Sequence, residues 1–238
     1  VLSDSWRAAL ATPYDIVSVA SADSTQDVAR STFLERLRPT LVVAERQTAG
    51  RGRMGRTWEQ PDRALFSSLS FRTTWPEPDQ PLVTLCTAVA LAGTIEMLCE
   101  QAPFIKWPND LLIDGAKVAG ILVESSGSTI TVGCGVNLWW PNAPDFAGSV
   151  YDDDPGVEIA REMAVGWVDA LFEILEPGPG AWPRDRYLER SWTVGRSVSW
   201  DGGTGRGIGI DEHGGLVVAT DQGRTVLTAG EVHTYRKR

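Results

Sequence analysis

The 238-residue chain is 42% hydrophobic and 22% charged, and it is long enough for one large α/β domain with about 50 residues to spare. A formal charge of −9 argues against bulk nucleic-acid binding, and no run approaches the ~18 apolar residues of a membrane span. The N-terminus carries no charged-then-apolar leader, and Cys86, Cys99 and Cys134 have neither disulfide nor metal-ligand spacing, so a reducing, cytoplasmic compartment is expected.

In chain order, residues 15–21 (DIVSVAS) read as a strand, and 23–38 as a helix with Ser24 as its cap and Asp27 as a capping-box-like partner. Pro39 stops that helix. Residues 40–45 (TLVVAE) form a nearly all-apolar strand, as expected where both faces are covered. The loop GRGRMGR (50–56) follows, then an alternating strand over 64–72. A long helix over 79–100 places Leu82, Leu85, Cys86, Val89, Ile95, Leu98 and Cys99 on one stripe, which makes its cysteines core residues. FIKW is a short strand, and residues 110–124 read as a hairpin turning at Asp114-Gly115. A strand over 128–138 precedes a second long helix, 156–176, with Ile159, Met163, Trp167, Leu171, Ile174 and Leu175 inward. After a Pro/Gly-rich connection and a short helix to Arg190, glycine-spaced β-prone runs from Ser191 predict a small barrel of about 45 residues. The expected domains are therefore 1–190 and 191–238.

Gly50 to Gly55 spell the Gly-x-Gly-x-x-Gly string, but its context is wrong for a dinucleotide turn. Trp58 and Pro61 block the helix that should follow, and no carboxylate occurs where the ribose partner should stand. Six of the seven positions in 50–56 are glycine or arginine. Glycine lets backbone approach a ligand closely, and arginine donates forked, charge-assisted hydrogen bonds to phosphate. A solvated surface loop is the plainer alternative. Ordering seven residues costs roughly 7–14 kcal/mol, and a few charged hydrogen bonds return a comparable sum, so the loop is expected to order over an anion.

Both histidines, His213 and His233, lie near the C-terminal end, so histidine-based chemistry is not expected. Of 22 basic residues only Lys106, Lys117 and Lys237 are lysine. Lys106 and Lys117 sit in apolar settings, where a compact ammonium does what a planar guanidinium cannot; chance is the competing reading.

Four segments, ERQTAGRGRMGRTW, KWPNDLL, KVAGILVE and GCGVNL, stand in an order and spacing that resemble the biotin protein ligases. The resemblance covers about residues 13–140 by motif. It implies a mixed β-sheet flanked by helices, class II aminoacyl-tRNA synthetase-like, followed by an SH3-like barrel. It implies ATP-dependent conversion of biotin to biotinyl-adenylate and pyrophosphate, then transfer to a lysine of a biotin carboxyl carrier domain. By resemblance, Arg51, Arg53 and Arg56 close over the adenylate, with Gly50 and the Arg51 backbone near the biotin carboxylate. Lys117 lies between that carboxylate and the α-phosphate; Lys117 and Arg53 are the expected catalytic pair. Ser24, Thr25 and Gln47 match positions around the ureido ring; helix capping is the structural alternative for the first two. Asn109 and Asp110 match positions near the phosphates, with Asp110 the Mg²⁺ candidate; turn formation after Pro108 is their alternative. Asn137 matches an adenine contact and Trp58 a ring packing near the nucleotide. Lys106 matches a family lysine that either carries phosphate charge or structures the site.

This chain departs from the pattern at Gln26, where the family often has Asn, at Asp27, and at Met54, commonly basic. The motifs begin within 25 residues of Val1, so the expected form lacks a DNA-binding domain and a repressor role, with no membrane partner, and is a monomer or weak homodimer. The alternatives are a lipoate–protein ligase, whose Arg-Arg-x-Ser-Gly-Gly-Gly loop is missing, and a nucleotide- or RNA-binding regulator, which needs a broader basic surface.

Overall fold

The computed structural model describes residues 13–235; Lys237 and the segment read for a leader lie outside them. The first strands are β1 (Asp15–Val19), β2 (Thr40–Ala44) and β3 (Arg63–Arg72), with α1 (Thr25–Arg36) between β1 and β2. After α2 (Leu82–Cys99) come β4 (Phe104–Lys106), β5 (Asp110–Ile113), β6 (Ala116–Ser126) and β7 (Thr129–Trp139). Helices α3 (Glu158–Leu175) and α4 (Arg184–Glu189) complete this part. The seven strands form one mixed sheet in the order β1-β2-β3-β7-β6-β5-β4. Only β1 and β2 run parallel, because α1 carries the chain back across the sheet between them.

Alternation along β3 separates the two faces of this sheet. Ser67 Oγ accepts from the Trp167 indole of α3 at 3.1 Å, while Ser68 Oγ lies 2.8 Å from Thr25 Oγ1 of α1. Helices α2 and α3 therefore cover one face. On the other face, α1 covers only part of the sheet and leaves a cleft beside it.

Helix α2 corrects two expectations. It is buried nearly all round, not along one stripe, because the sheet, α3 and α4 enclose it. Its 18 residues have a mean hydropathy of 1.9, so it does reach the length and composition of a membrane span; 67% of it is buried inside the fold. Thr87 and Thr94 are accommodated by donating to the carbonyls of Val83 and Ala90, at 2.7 and 3.0 Å. Leu91 has no exposed surface, and truncating such a side chain to alanine costs about 2–5 kcal/mol. Helix α3 is amphipathic as expected, with Met163, Trp167, Leu171 and Ile174 inward.

Ser24 does occupy the N-cap of α1, in extended backbone, but its side chain makes no capping hydrogen bond. It is buried at the cleft instead, and Asp27 pairs with Arg30 and Arg51 rather than closing a capping box. The β5–β6 turn is as read: Asp114 and Gly115 both have positive φ, 52° and 87°, the pairing of a type I′ hairpin.

A second, all-antiparallel sheet follows: β8 (Ser197–Trp200), β9 (Gly203–Ile210), β10 (Leu216–Thr220), β11 (Gly223–Leu227) and β12 (His233–Tyr235), ordered β11-β10-β9-β8-β12. It closes over Val198, Ile210, Leu216, Val218 and Val232. The connecting segment pairs with β4: the Ile105 amide donates to the Arg190 carbonyl at 2.7 Å, and Trp192 N–H returns to Ile105 at 2.8 Å. The Trp107 indole donates to the Gly214 carbonyl at 2.9 Å, tying the two sheets together.

Candidate active site

The open part of the sheet floors a cleft of about 680 Å³. Of the residues singled out from sequence, Ser24, Thr25, Gln47, Arg51, Arg53, Arg56, Trp58, Lys106, Asn109, Asp110, Lys117 and Asn137 all line it. Gly50 does not. It stands behind the wall, its carbonyl accepting the Trp58 N–H at 3.0 Å, and a Cβ there would meet Gln47 Nε2 at 3.0 Å.

One end of the cleft is neutral and polar. The Thr25 amide and hydroxyl both donate to Gln47 Oε1, at 2.8 and 3.0 Å, and Ser68 Oγ joins the chain through Thr25 Oγ1. The middle is floored by glycines of β6 and β7. A Cβ at Gly120 would lie 2.6 Å from the Trp58 ring, and one at Gly135 2.9 Å from it. The indole can lie on the sheet only because both positions lack side chains. Ala44, Ala64 and Phe66 back it with a small apolar cluster.

The other end is charged. Lys117 Nζ lies 2.6 Å from Asp110 Oδ1 and 5.2 Å from the centre of the Trp58 ring. The β5–β6 hairpin sets this pair, because a register shift after Leu111 brings Lys117 opposite Leu112 and toward Asp110. Over it sits the arginine loop, with a single 3₁₀ turn at Arg53–Gly55 and with Met54 and Gly55 both in left-handed backbone, φ 58° and 74°.

Each of the three loop arginines has a protein acceptor. Arg51 forks onto Asp27 at 2.8 and 2.9 Å. Arg53 donates to Asn109 Oδ1 at 2.8 Å and to the Gly230 carbonyl at 3.0 Å. Arg56 pairs with Glu231 at 2.9 Å. Hydrogen bonding from Arg51 holds Asp27 below the usual carboxylate range. Burial pushes Glu231 up, but Arg56, His233 and Lys106 outweigh it and leave it below its ordinary value. Burial lowers the Arg53 guanidinium, and the charges of Asp110 and Glu231 oppose that.

Asn109 is clamped: its backbone carbonyl accepts from Ile121 at 3.0 Å, its amide returns to the Ile121 carbonyl at 2.9 Å, and its oxygen holds Arg53. It positions the lid as placed here. Asn137 donates to the carbonyls of Lys117 and Gly148, at 3.2 and 2.8 Å. Both partners are acceptors, so Oδ1 faces away from them.

Among the described residues, four buried side-chain polar atoms lack a hydrogen-bond partner: Gln26 Oε1, Trp58 Nε1, Asn137 Oδ1 and Tyr187 Oη. The first three belong to cleft-lining residues. Buried polar atoms left unpaired are rare, because each forfeits its hydration. Their concentration here marks a surface built to be covered. Sequence reasoning missed Ser68 and the rim aromatics Trp140, Phe146 and Trp192. The alternation of β3 placed Ser68 on a defined face, but nothing in it said which face bears the ligand.

A mixed sheet joined to a small antiparallel one carries an arginine loop over a glycine-floored cleft, neutral and polar at one end and charged at the other. The chain matches the model of the biotin/lipoate A/B protein ligase family over residues 18–139, and it belongs to that family. It is 34% identical to a biotin–[acetyl-CoA-carboxylase] ligase of Paracoccus denitrificans, over 80% of this chain and 88% of that one. It is 33% identical to the bifunctional ligase/repressor BirA of Bacillus subtilis, over 81% of this chain but 65% of that longer protein. Among solved structures, the biotin protein ligase of Aquifex aeolicus in complex with biotin and ATP aligns with a TM-score of 0.74 and 26% identity, over 94% of this chain and 99% of that one.

Proposed function

We propose that this protein is an ATP-dependent biotin–protein ligase, acting on the biotin carboxyl carrier domain of a carboxylase of the acetyl-CoA type. The observation that carries the reading is the order of groups along one cleft: neutral polar end, glycine-and-tryptophan middle, Lys117, then the arginine lid. That order matches a ureido head, an aliphatic chain, a carboxylate and a phosphate chain taken end to end.

Two anions must meet for the first step. A carboxylate oxygen of biotin attacks the α-phosphorus of ATP, and the bond to pyrophosphate breaks, leaving the mixed anhydride biotinyl-AMP. Lys117, at the junction, offsets the repulsion and the charge developing on the α-phosphate. To do so its ammonium exchanges the Asp110 carboxylate for ligand oxygens. Arg53 and Arg56 hold the phosphate side, and Asn137 Oδ1 accepts from the adenine amino group. In the second step the carrier lysine attacks the acyl carbon, and AMP leaves with the bonding pair.

Among the described residues no three metal-ligating side chains come together. Mg²⁺ carried on nucleotide phosphates needs only one or two protein carboxylates, and Asp110 fits that part. The ion would neutralise phosphate charge on the pyrophosphate side. The free thiols of Cys86, Cys99 and Cys134 support a reducing, cytoplasmic setting; gel filtration tests the proposed monomer or weak dimer.

Exchange of radiolabel between pyrophosphate and ATP that depends on biotin and ignores lipoate is the expected result. Folded protein without biotin-dependent exchange overturns the reading.

A further inference from the structure

Arg51 differs from the other two lid arginines in where its side chain goes. Arg53 and Arg56 reach Asn109, Gly230 and Glu231 around the charged end of the cleft. Arg51 goes instead to Asp27 in the first turn of α1, which accepts with both carboxylate oxygens at 2.8 and 2.9 Å. That fork occupies both terminal nitrogens of the guanidinium, and phosphate could take them only by breaking it. Each partner holds the other charged, Asp27 below and Arg51 above its ordinary value, chiefly through these hydrogen bonds.

The pair belongs to a square of alternating charge. Asp27 Oδ1 also accepts from Arg30 at 2.8 Å, and Glu124 of β6 lies 3.7 Å from Arg30 and 3.8 Å from Arg51. Glu124 is fixed in turn by the Gln26 amide, which donates to it at 3.2 Å and to the Leu122 carbonyl at 3.4 Å. Two carboxylates and two guanidinium groups so tie α1, β6 and the loop together. An isolated exposed ion pair holds little, but a bidentate pair inside a network is the exception.

Arg51 also stands on the stem of the loop, not at its tip. It forms an antiparallel bridge with Thr57, flanked by the Gly52 N–H donating to the Arg56 carbonyl at 2.7 Å and the Trp58 N–H donating to the Gly50 carbonyl at 3.0 Å. The 3₁₀ turn at Arg53–Gly55 is the tip of this short ladder. Whatever fixes Arg51 therefore fixes the backbone that lays Trp58 on the glycine floor.

We infer that Asp27 is a positioning residue and Arg51 an anchor, not a phosphate donor: their fork holds the lid stem, and with it Trp58, in place before ligand arrives, leaving Arg53 and Arg56 to hold phosphate. The phosphate half of this assignment rests on the ligase reading; the anchor half needs no ligand.

Hydrogen exchange on the unliganded full chain reads the anchor. Asp27→Asn and Arg51→Gln are each expected to lower protection of the Gly52 and Trp58 amides about threefold to tenfold, the double variant no further, and Asp27→Glu to restore most of it. Kinetics then separate an anchor from a phosphate donor. Both single variants should release the adenylate about threefold to tenfold faster after a single turnover, with the KM for ATP moved by less than about twofold. Unchanged amide protection in Asp27→Asn overturns the anchor. A KM for ATP raised well above native by Arg51→Gln but not by Asp27→Asn places the guanidinium on phosphate and overturns the division of roles. Native protein without biotin-dependent ATP–pyrophosphate exchange overturns the ligase reading and the phosphate half with it, while hydrogen exchange still decides the anchor.

Discussion

Lys117 and Asp110 face each other at 2.6 Å across the β5–β6 hairpin, at the junction between the neutral and charged ends of the cleft. Lysine is scarce in this chain, and this one is held by a carboxylate on one side and the face of Trp58 on another. An ammonium so held occupies a defined point before any ligand arrives, which is the condition for electrostatic preorganisation.

Lys117→Ala is expected to slow biotin-dependent ATP–pyrophosphate exchange by roughly 10²–10³-fold. Lys117→Arg should not restore it, because the Trp58 ring and the Gly120 surface leave space for a point charge, not a fork. Exchange assays on the two variants check this, and a substantially active arginine variant counts against the point-charge role.

Arg53 and Asn109 act as one unit, joined at 2.8 Å. Arg53→Ala should release the adenylate about tenfold or more faster, and Asn109→Ala should reproduce part of that loss. The double variant should be little worse than Arg53→Ala, since both remove the same contact. Release can be followed as adenylate appearing in the filtrate after a single turnover.

The lid anchors carry a pH dependence. Asp27 and Glu231 titrate below their ordinary values in the folded protein, so their contribution is present above the ordinary carboxylate pKa and is lost as pH falls through the lowered values. Hydrogen-exchange protection of residues 51–56 should hold from pH 8 to 5 and fall below about pH 4. Asp27→Asn should remove the part of that transition belonging to Arg51.

Thiol chemistry should find this protein nearly inert. Burial pushes Cys86 up to about 12 and Cys134 higher still, while half-buried Cys99 is raised less. At pH 8, intact-mass analysis after alkylation should show at most slow modification of Cys99, and modification of all three thiols in urea.

The residues of the site were legible in the sequence to the extent that they were charged, glycine-spaced or in a turn. The arginine–glycine loop, the Asp114-Gly115 turn and Lys117 could be read because each obeys a local rule. What they touch could not be read. Arg51 turns to Asp27, which sits in α1 far from it in sequence, and Asn109 spends its amide on β6. The N-cap position of Ser24 followed from local pattern, but the loss of its capping bond followed from tertiary burial. Helix α2 looked one-sided because composition cannot reveal a third packing partner. Gln26 gave only the signal of an unusual residue; its orphaned oxygen depends on Leu122 and Glu124, almost a hundred residues away.

Arg53 and Arg56 reach beyond the catalytic sheet for Gly230 and Glu231, which follow the last strand pairings of β8 through β11. During synthesis the sheet, the glycine floor and Lys117 all emerge from the ribosome before those two acceptors do. A nascent chain can therefore shape the pocket and anchor Arg51 and Arg53 on Asp27 and Asn109, yet it lacks the half of the latch that Gly230 and Glu231 supply. Full retention of a reactive acyl phosphate is therefore expected only once that segment is in place, and a chain ending before it is expected to release one more readily.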